Sequence, residues 1–561
     1  MLHILIGGAG CGKSTCLIQH LQKQLKAGEQ ILTLVPEQFS YEFDQKLYRI
    51  LGPVAFNQLE THSFKSLARA VFQRFGCVPD GKINADELTK MALLYQAVLQ
   101  VSEREKKLQL LGKQCRQASF VSELAMMFTQ FRRSGIPPEQ LYNSSAELNG
   151  RLQEKMLDVF EIYQRYDQLL EQHQLKDTET DLSEAAAIAN GHDAFLGDVI
   201  FLDEFESFTE DEYQMLSVLL SSGKDLYIAL RMEHTRKEPF SLFAAVQETF
   251  CKIQDMAKKL RIPVETEVCD TPYRFQAAEL SWLNQHVFRN TQPFSGEAPH
   301  LHILEAQSPT EEVDYVCATI RRLLAKDHTL RCRDIAVLSN QMTDYRSILE
   351  TAMERYKLPY YMDEKELMLY TPLLVYLHTL LGILRQTRPD TELLMRLGKT
   401  GLTSCSVEEI SDLENYCYMW QIDGKTWNMP FTAGNFASAE AVRLKLLTPL
   451  QELREKLKGQ HTGAEFCSML YQFLTEQQVE EQLNRQLKII ADEQKRMQTS
   501  EEWALVWNSF IDILEHLSTL YRTLEMEFSE FSTVFAALTG NIQRATPPRT
   551  LDAVLISQGS T

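Results

Sequence analysis

No stretch of this 561-residue sequence approaches about 18 consecutive apolar residues, which excludes a helical membrane span. The N-terminus has no basic stretch followed by an apolar signal core, because Leu2-His3-Ile4-Leu5-Ile6 runs directly into a glycine-rich turn. A cytoplasmic protein is expected. The eleven cysteines (Cys11, Cys16, Cys77, Cys115, Cys251, Cys269, Cys317, Cys332, Cys405, Cys417, Cys467) form no C-x-x-C pair and match no histidine spacing, so they read as reduced thiols, neither disulfides nor metal ligands. Positive charge is also short, with 57 Lys and Arg against 76 Asp and Glu for a formal net charge of −19. That balance argues against coating nucleic acid through overall charge, while leaving room for a local basic channel.

What is present is ordinary for a globular protein: 44% hydrophobic and 24% charged residues. A single core rarely exceeds roughly 250–300 residues, so two to four units are expected. The strongest motif is Gly7-Gly8-Ala9-Gly10-Cys11-Gly12-Lys13-Ser14, a complete G-x-x-x-x-G-K-[ST] phosphate loop followed by Thr15. Its flanks fit the chemistry. Leu2 to Ile6 reads as a buried strand, and Thr15 to Leu25 continues with helical spacing. Backbone amides of the glycines and of the helix start would then converge on phosphates. Lys13 is placed to reach the β and γ phosphates, and the Ser14 hydroxyl to ligate magnesium. ATP with Mg is the expected cofactor.

Further α/β alternation follows at Ile31–Val35, Phe39–Leu51 and Phe56–Phe75. From about 81 to 190 the pattern becomes helical, with Val121, Leu124, Ala125, Phe128 and Phe131 spaced for one apolar face. Strand character returns at Asp198–Leu202 and Asp225–Leu230, and a polar, proline-containing linker spans Pro293–Pro299. A second α/β unit is expected to begin with the strand Leu301–Leu304 and to continue through a helix at Glu311–Leu324 and a strand at Asp334–Leu338. Helical sequence fills about 386 to 540, and Leu551–Ile556 reads as a last strand. The boundaries are a first α/β domain at 1–80 and 191–290 with a helical insertion at 81–190, and a second at 291–385 and 541–561 with a helical insertion at 386–540.

A phosphate loop needs a distant carboxylate at the end of a buried strand, and Val199-Ile200-Phe201-Leu202-Asp203-Glu204 supplies two. Asp203 is the magnesium candidate, and Glu204 would orient the attacking water if ATP is hydrolysed. The order of segments resembles superfamily 1 DNA helicases of the UvrD and RecB type. Asp203-Glu204-Phe205-Glu206-Ser207-Phe208 is similar to their D-E-F-Q-D motif, Thr61-His62-Ser63-Phe64 to a DNA-contacting T-F-H-S-F-like segment, and Arg333-Asp334-Ile335-Ala336-Val337-Leu338 to a strand of their second domain.

A nearer resemblance is to the AddB family, the B subunits of bacterial AddAB helicase-nucleases. Val35-Pro36-Glu37-Gln38-Phe39-Ser40 carries it, with Phe201 to Tyr213, Gly398-Lys399-Thr400-Gly401-Leu402, Leu413-Glu414-Asn415-Tyr416-Cys417 and Ile422-Asp423-Gly424-Lys425-Thr426-Trp427. The resemblance implies two RecA-like P-loop domains, each interrupted by helices. It also implies an AddA-like heterodimer partner, and a role in double-strand-break processing for homologous recombination, tracking single-stranded DNA from duplex ends and recognising a recombination hotspot. It implies a truncated chain, ending inside the second domain and before the family's nuclease domain, so that no iron–sulfur cluster is expected in it.

Departures bear on turnover. There is no glutamine motif ahead of the loop, Ala229-Leu230-Arg231-Met232-Glu233-His234-Thr235 replaces the G-D-x-x-Q sensor segment, and no closing arginine can be assigned. Three readings therefore stand: a helicase-like binding subunit, an active ATP-dependent translocase, and a scaffold with structural nucleotide. For DNA contact the candidates are His62, Phe64, Lys65 and Arg69, with Tyr273 and Arg274, because single-strand tracks combine basic side chains with aromatic platforms.

Overall fold

The computed structural model describes the chain except for residues 57–58, 77–81, 105–106, 113, 115–117, 147, 237–240, 272, 288–292, 363–364, 495–496, 541, 546–549, 551 and 559–561. Cys77, Cys115 and Leu551 thus lie outside the described residues. The chain divides into two compact units, Met1–Asp86 with Val101–Leu111 and Ser122–Ile303, and Glu87–Gln100 with Gly112–Val121 and Leu304–Thr561.

The first unit is built on β1 (Leu2–Gly7), α1 (Lys13–Lys26), β2 (Ile31–Leu34), α2 (Ser40–Leu51), β3 (Leu59–His62), α3 (Phe64–Phe75), β4 (Val199–Leu202), α4 (Glu210–Ser222), β5 (Asp225–Arg231), α5 (Ala244–Lys259) and β6 (Val264–Val268). The six strands form one sheet in the order β3-β2-β4-β5-β1-β6, and every pairing is parallel. A parallel sheet needs both faces covered, and strand alternation accomplishes this here. Leu2, Ile4 and Ile6, with Ile200, Leu202, Ile228 and Leu230, point to one face, where α3, α4 and α5 bury them. Leu5, Val199, Phe201, Tyr227 and Ala229 point to the other, beneath Leu17, Ile18 and Leu21 of α1 and Phe43 and Leu47 of α2. Each such buried aliphatic or aromatic side chain contributes about 1.5–3 kcal/mol.

The helical segment of this unit is anchored by one buried carboxylate. Asp158, on the helix Arg151–Gln172, is 1% exposed and accepts three backbone N–H groups, from Gln109, Leu110 and Leu111, each at 2.8 Å. The helix Glu87–Leu99 behaves differently from the 81–190 insertion in which the sequence places it: it groups with the second unit. It is apolar nearly all round, burying Ala92, Leu93, Leu94, Tyr95, Ala97 and Val98, so one covered face would not suffice. It packs against the helices Met497–Leu520 and Phe528–Gly540, and Tyr521 Oη donates to Ala92 O at 2.6 Å.

The second unit contains α6 (Pro309–Lys326), β7 (Ala336–Ser339), α7 (Met342–Arg355), β8 (Tyr360–Met362) and β9 (Val554–Gln558). Its three-stranded parallel sheet runs β8-β9-β7, with Val313, Cys317, Leu349, Met353, Val554 and Ile556 in the core between sheet and helices. Leu301–Leu304, expected as a strand, has no strand assignment, and Ile303 is fully exposed. An alternating apolar pattern forms a strand only where another strand accepts its ladder, and none among the described residues pairs with it.

Candidate functional site

The carboxyl ends of β1, β4 and β5 converge on one edge of the first unit. Residues 8–12 turn sharply out of β1, with Gly10 and Gly12 at φ of 73° and 80°, a left-handed backbone that glycine adopts without strain. Gly12 is the N-cap of α1, no side chain caps it, and the first turn holds no acidic residue. The first amides of α1 therefore face outward with the positive end of the helix dipole, as an anion site requires. Lys13 Nζ donates to Gly8 O at 2.9 Å, folding the ammonium back over the loop. Burial lowers its pKa, opposed by the nearby Cys11 and Asp203. Thr15, one residue past Ser14, is exposed.

Asp203 follows β4 and is 3% exposed; its amide donates to Leu34 O at 3.2 Å, and the amide of Glu204 donates to Asp203 Oδ1 at 3.0 Å. Burial, with the neighbouring Glu204 charge second, pushes the Asp203 pKa up to about 6, while the Ser14 hydroxyl beside it pulls the other way. Oδ2 is buried without a hydrogen-bond partner in the protein. A buried, unpartnered carboxylate oxygen beside a serine hydroxyl is a donor set suited to a hard divalent cation. Glu204 is exposed and sits at φ 64°, a conformation costly for a residue with a Cβ and concentrated at functional sites.

The six proposed DNA-contact residues separate. Phe64 is 4% exposed and packs edge-on against Phe205 and Phe208 at 5.5 and 6.0 Å, so its ring belongs to the core and is no platform for bases. His62 ends β3, with Nδ1 3.3 Å from Ser66 Oγ and Nε2 3.6 Å from Glu60. Lys65 and Arg69 are exposed, four residues apart on α3, and so share a face. Tyr273 and Arg274 lie elsewhere, over the phosphate loop: both of their amides point at Gly10 O, at 3.0 and 3.3 Å. A side chain at Gly10 would collide with Arg274, and one at Gly12 would press tightly on the Tyr273 ring. The signal for this placement is that β6, which leads into them, pairs with β1. A parallel partner brings its own carboxyl end, and whatever follows, to the same rim. Arg231 and Glu233, given no site role from the sequence, lie at the end of β5 on the same rim. Arg231 pairs with Glu206, and a side chain at Gly8 would meet Glu233.

The family model described as "ADDB, N-terminal" matches residues 4–284, just over half of the chain. This chain belongs to the AddB family. Among curated AddB relatives, the B subunit of the ATP-dependent helicase/deoxyribonuclease of Clostridium tetani is 27% identical over 594 residues, covering 99% of this chain and 50% of the relative. The corresponding B subunits of Clostridium novyi and Acetivibrio thermocellus are each 25% identical, again over 99% of this chain and 49% and 50% of their own lengths. The chain spans about half the length of the curated relatives it matches.

The AddB-like segments near residue 400 have a structural explanation. Trp427 is fully buried, its indole N–H donates to Thr391 Oγ1 at 2.8 Å, and its carbonyl accepts from Arg443 at 2.7 Å. Gly398 lies so close to Ile410 that a side chain there would clash. No helix among the described residues is long and apolar enough to cross a membrane.

Proposed function

We propose that this chain is the helicase-like part of an AddB-type subunit, binding ATP at residues 7–15 and tracking single-stranded DNA within a helicase-nuclease that it forms with an AddA-like partner. The observation that carries the proposal is the convergence of an uncapped helix N-terminus, Lys13 and Ser14 with the buried, unpartnered Oδ2 of Asp203. Ser14 and Asp203 would hold magnesium, which supplies charge neutralisation between the phosphates when bound. Lys13 exchanges its bond to Gly8 O for phosphate oxygens. The exposed ring of Tyr273 is positioned to stack on the base and Arg274 to meet the phosphate tail, which moves both residues from DNA contact to nucleotide contact. Both α/β units are read as RecA-like. The relatives are named as B subunits of an ATP-dependent helicase/deoxyribonuclease, which supports a place in DNA break processing that includes hotspot recognition.

Equilibrium binding of a fluorescent ATP analogue to this chain, alongside ATP turnover with and without single-stranded DNA, tests the reading. Magnesium-dependent binding with little DNA stimulation is expected. Absence of binding overturns the proposal, and strong DNA-stimulated turnover by the chain alone would replace it with a motor. That second reading is favoured by Glu204, exposed beside Asp203 where it can orient water.

Lys65 and Arg69 are the proposed phosphate contacts on α3. Replacing both with alanine is expected to reduce the slope of log affinity against log salt for single-stranded DNA by about 1.4, two contacts at roughly 0.7 each. An unchanged slope would remove α3 from the DNA path.

A further inference from the structure

On the flank of α1, two thiols, an imidazole and a carboxylate come together. Cys16 and His20 are four residues apart and so lie on one face of the helix. Glu267 and Cys269 are two apart along β6 and its extension, so strand alternation sends both to the side that α1 covers. Cys16 Sγ donates to Glu267 Oε1 at 3.3 Å, and His20 Nε2 lies 3.2 Å from Glu267 Oε2. One ligand atom from each of Cys16, His20 and Glu267 falls within 4.8 Å of the others, and the Cys269 side chain neighbours Cys16. We propose that Cys16, His20, Glu267 and Cys269 form a zinc site that ties the phosphate-loop helix to the edge strand of the sheet.

The dimensions fit. Zinc bonds of about 2.0–2.3 Å in a tetrahedron place neighbouring donor atoms roughly 3.3–3.8 Å apart, which is the spacing already present around Glu267. Two thiols, one imidazole and one carboxylate make a donor set that zinc prefers over magnesium or calcium. The His20 ring is held in place by stacking on Tyr227 at 5.3 Å, and the Tyr227 ring in turn stacks on Phe201 at 4.7 Å, so Nε2 is aimed before any ion arrives. The zinc site uses none of the residues assigned to nucleotide or magnesium, although Cys269 lies against Gly7 at the start of the loop. A consequence follows from Cys269, whose amide donates to Ile6 O at 2.7 Å and which starts the segment that runs over Gly10. Metal bound at Cys269 would fix that segment at its root.

Cobalt(II) titrated into this chain under a phosphine reductant, followed by zinc competition, provides the test. One equivalent of cobalt should give a thiolate-to-cobalt charge-transfer band that zinc abolishes. Cys16→Ser and Cys269→Ser should each diminish the band, and His20→Ala should weaken affinity about tenfold or more. Cys251→Ser, on α5, should change nothing. Far-ultraviolet circular dichroism checks that the variants fold. If Cys16→Ser unfolds the chain, Glu267→Gln, whose side chain is half exposed, must weaken cobalt binding in its place. No thiolate band, or a band indifferent to the changes at residues 16, 20, 267 and 269, overturns the assignment.

Discussion

Lys13→Ala is expected to weaken ATP binding by at least about 30-fold while leaving the melting temperature of the nucleotide-free protein unchanged or slightly raised. The ammonium is partly buried, and burial lowers its pKa, so in the absence of phosphate it is a net cost to the fold. Its bond to Gly8 O returns part of that cost. With nucleotide bound, removing one partner of a desolvated charge pair costs about 2–5 kcal/mol, and each 1.4 kcal/mol is tenfold. Equilibrium binding and thermal melts on the same preparation separate the two effects. A variant that melts lower and still binds ATP would show that Lys13 serves the fold and not the ligand.

The second large effect belongs to Asp203. Its folded-state pKa of about 6 lies above its ordinary 3.8, so between those values the folded chain holds more protons than the unfolded one. Stability therefore falls as pH rises from about 4 to 6, and above pH 6 the full penalty remains. Two pKa units correspond to about 3 kcal/mol. Asp203→Asn should be more stable than the parent at pH 7.5 by up to that amount, with the advantage fading towards pH 4. The same variant should lose magnesium-dependent ATP binding, and the parent should lose it as pH drops below about 6, where the carboxylate takes up a proton. Melts and ATP binding across pH 4–8 check both. A destabilised Asp203→Asn at neutral pH would mean that Asp203 is a structural carboxylate.

Much of this was legible in the sequence because it is local. The run Leu2–Ile6, the glycines after it and the apolar start of α1 declare strand, turn and helix within 25 residues, and Val199–Leu202 declares a buried strand ending in acids. The order of strands is a non-local property, and the surroundings of several candidate residues depend on it. Tyr273 and Arg274 look like any aromatic-basic pair until β6 is known to pair with β1. Phe64 looks like a platform until α3 is seen to bury it against Phe205 and Phe208. Spacing rules that scan one segment at a time also pass over Cys16 and Glu267, 251 positions apart in sequence yet hydrogen-bonded. Leu301–Leu304 fails for the converse reason, since its pattern is right and its pairing partner is not among the described residues.

The order β4-β5-β1 places one whole strand between the acid pair and the phosphate loop. At about 4.8 Å per strand spacing, the two half-sites are rooted roughly 10 Å apart. The loop spans part of that distance by leaning across the end of β5, where Gly7 forms an antiparallel bridge with Met232 and Ser14 comes beside Asp203. Whatever occupies the loop must therefore rest on the rim of β5. Arg231 stands at that rim, paired with Glu206 and close enough to lower the Lys13 pKa, so a polyanion at the loop would compete with Glu206 for the same guanidinium. A polyanion bound at the loop would in this way reach Glu206, two residues beyond Glu204, through Arg231.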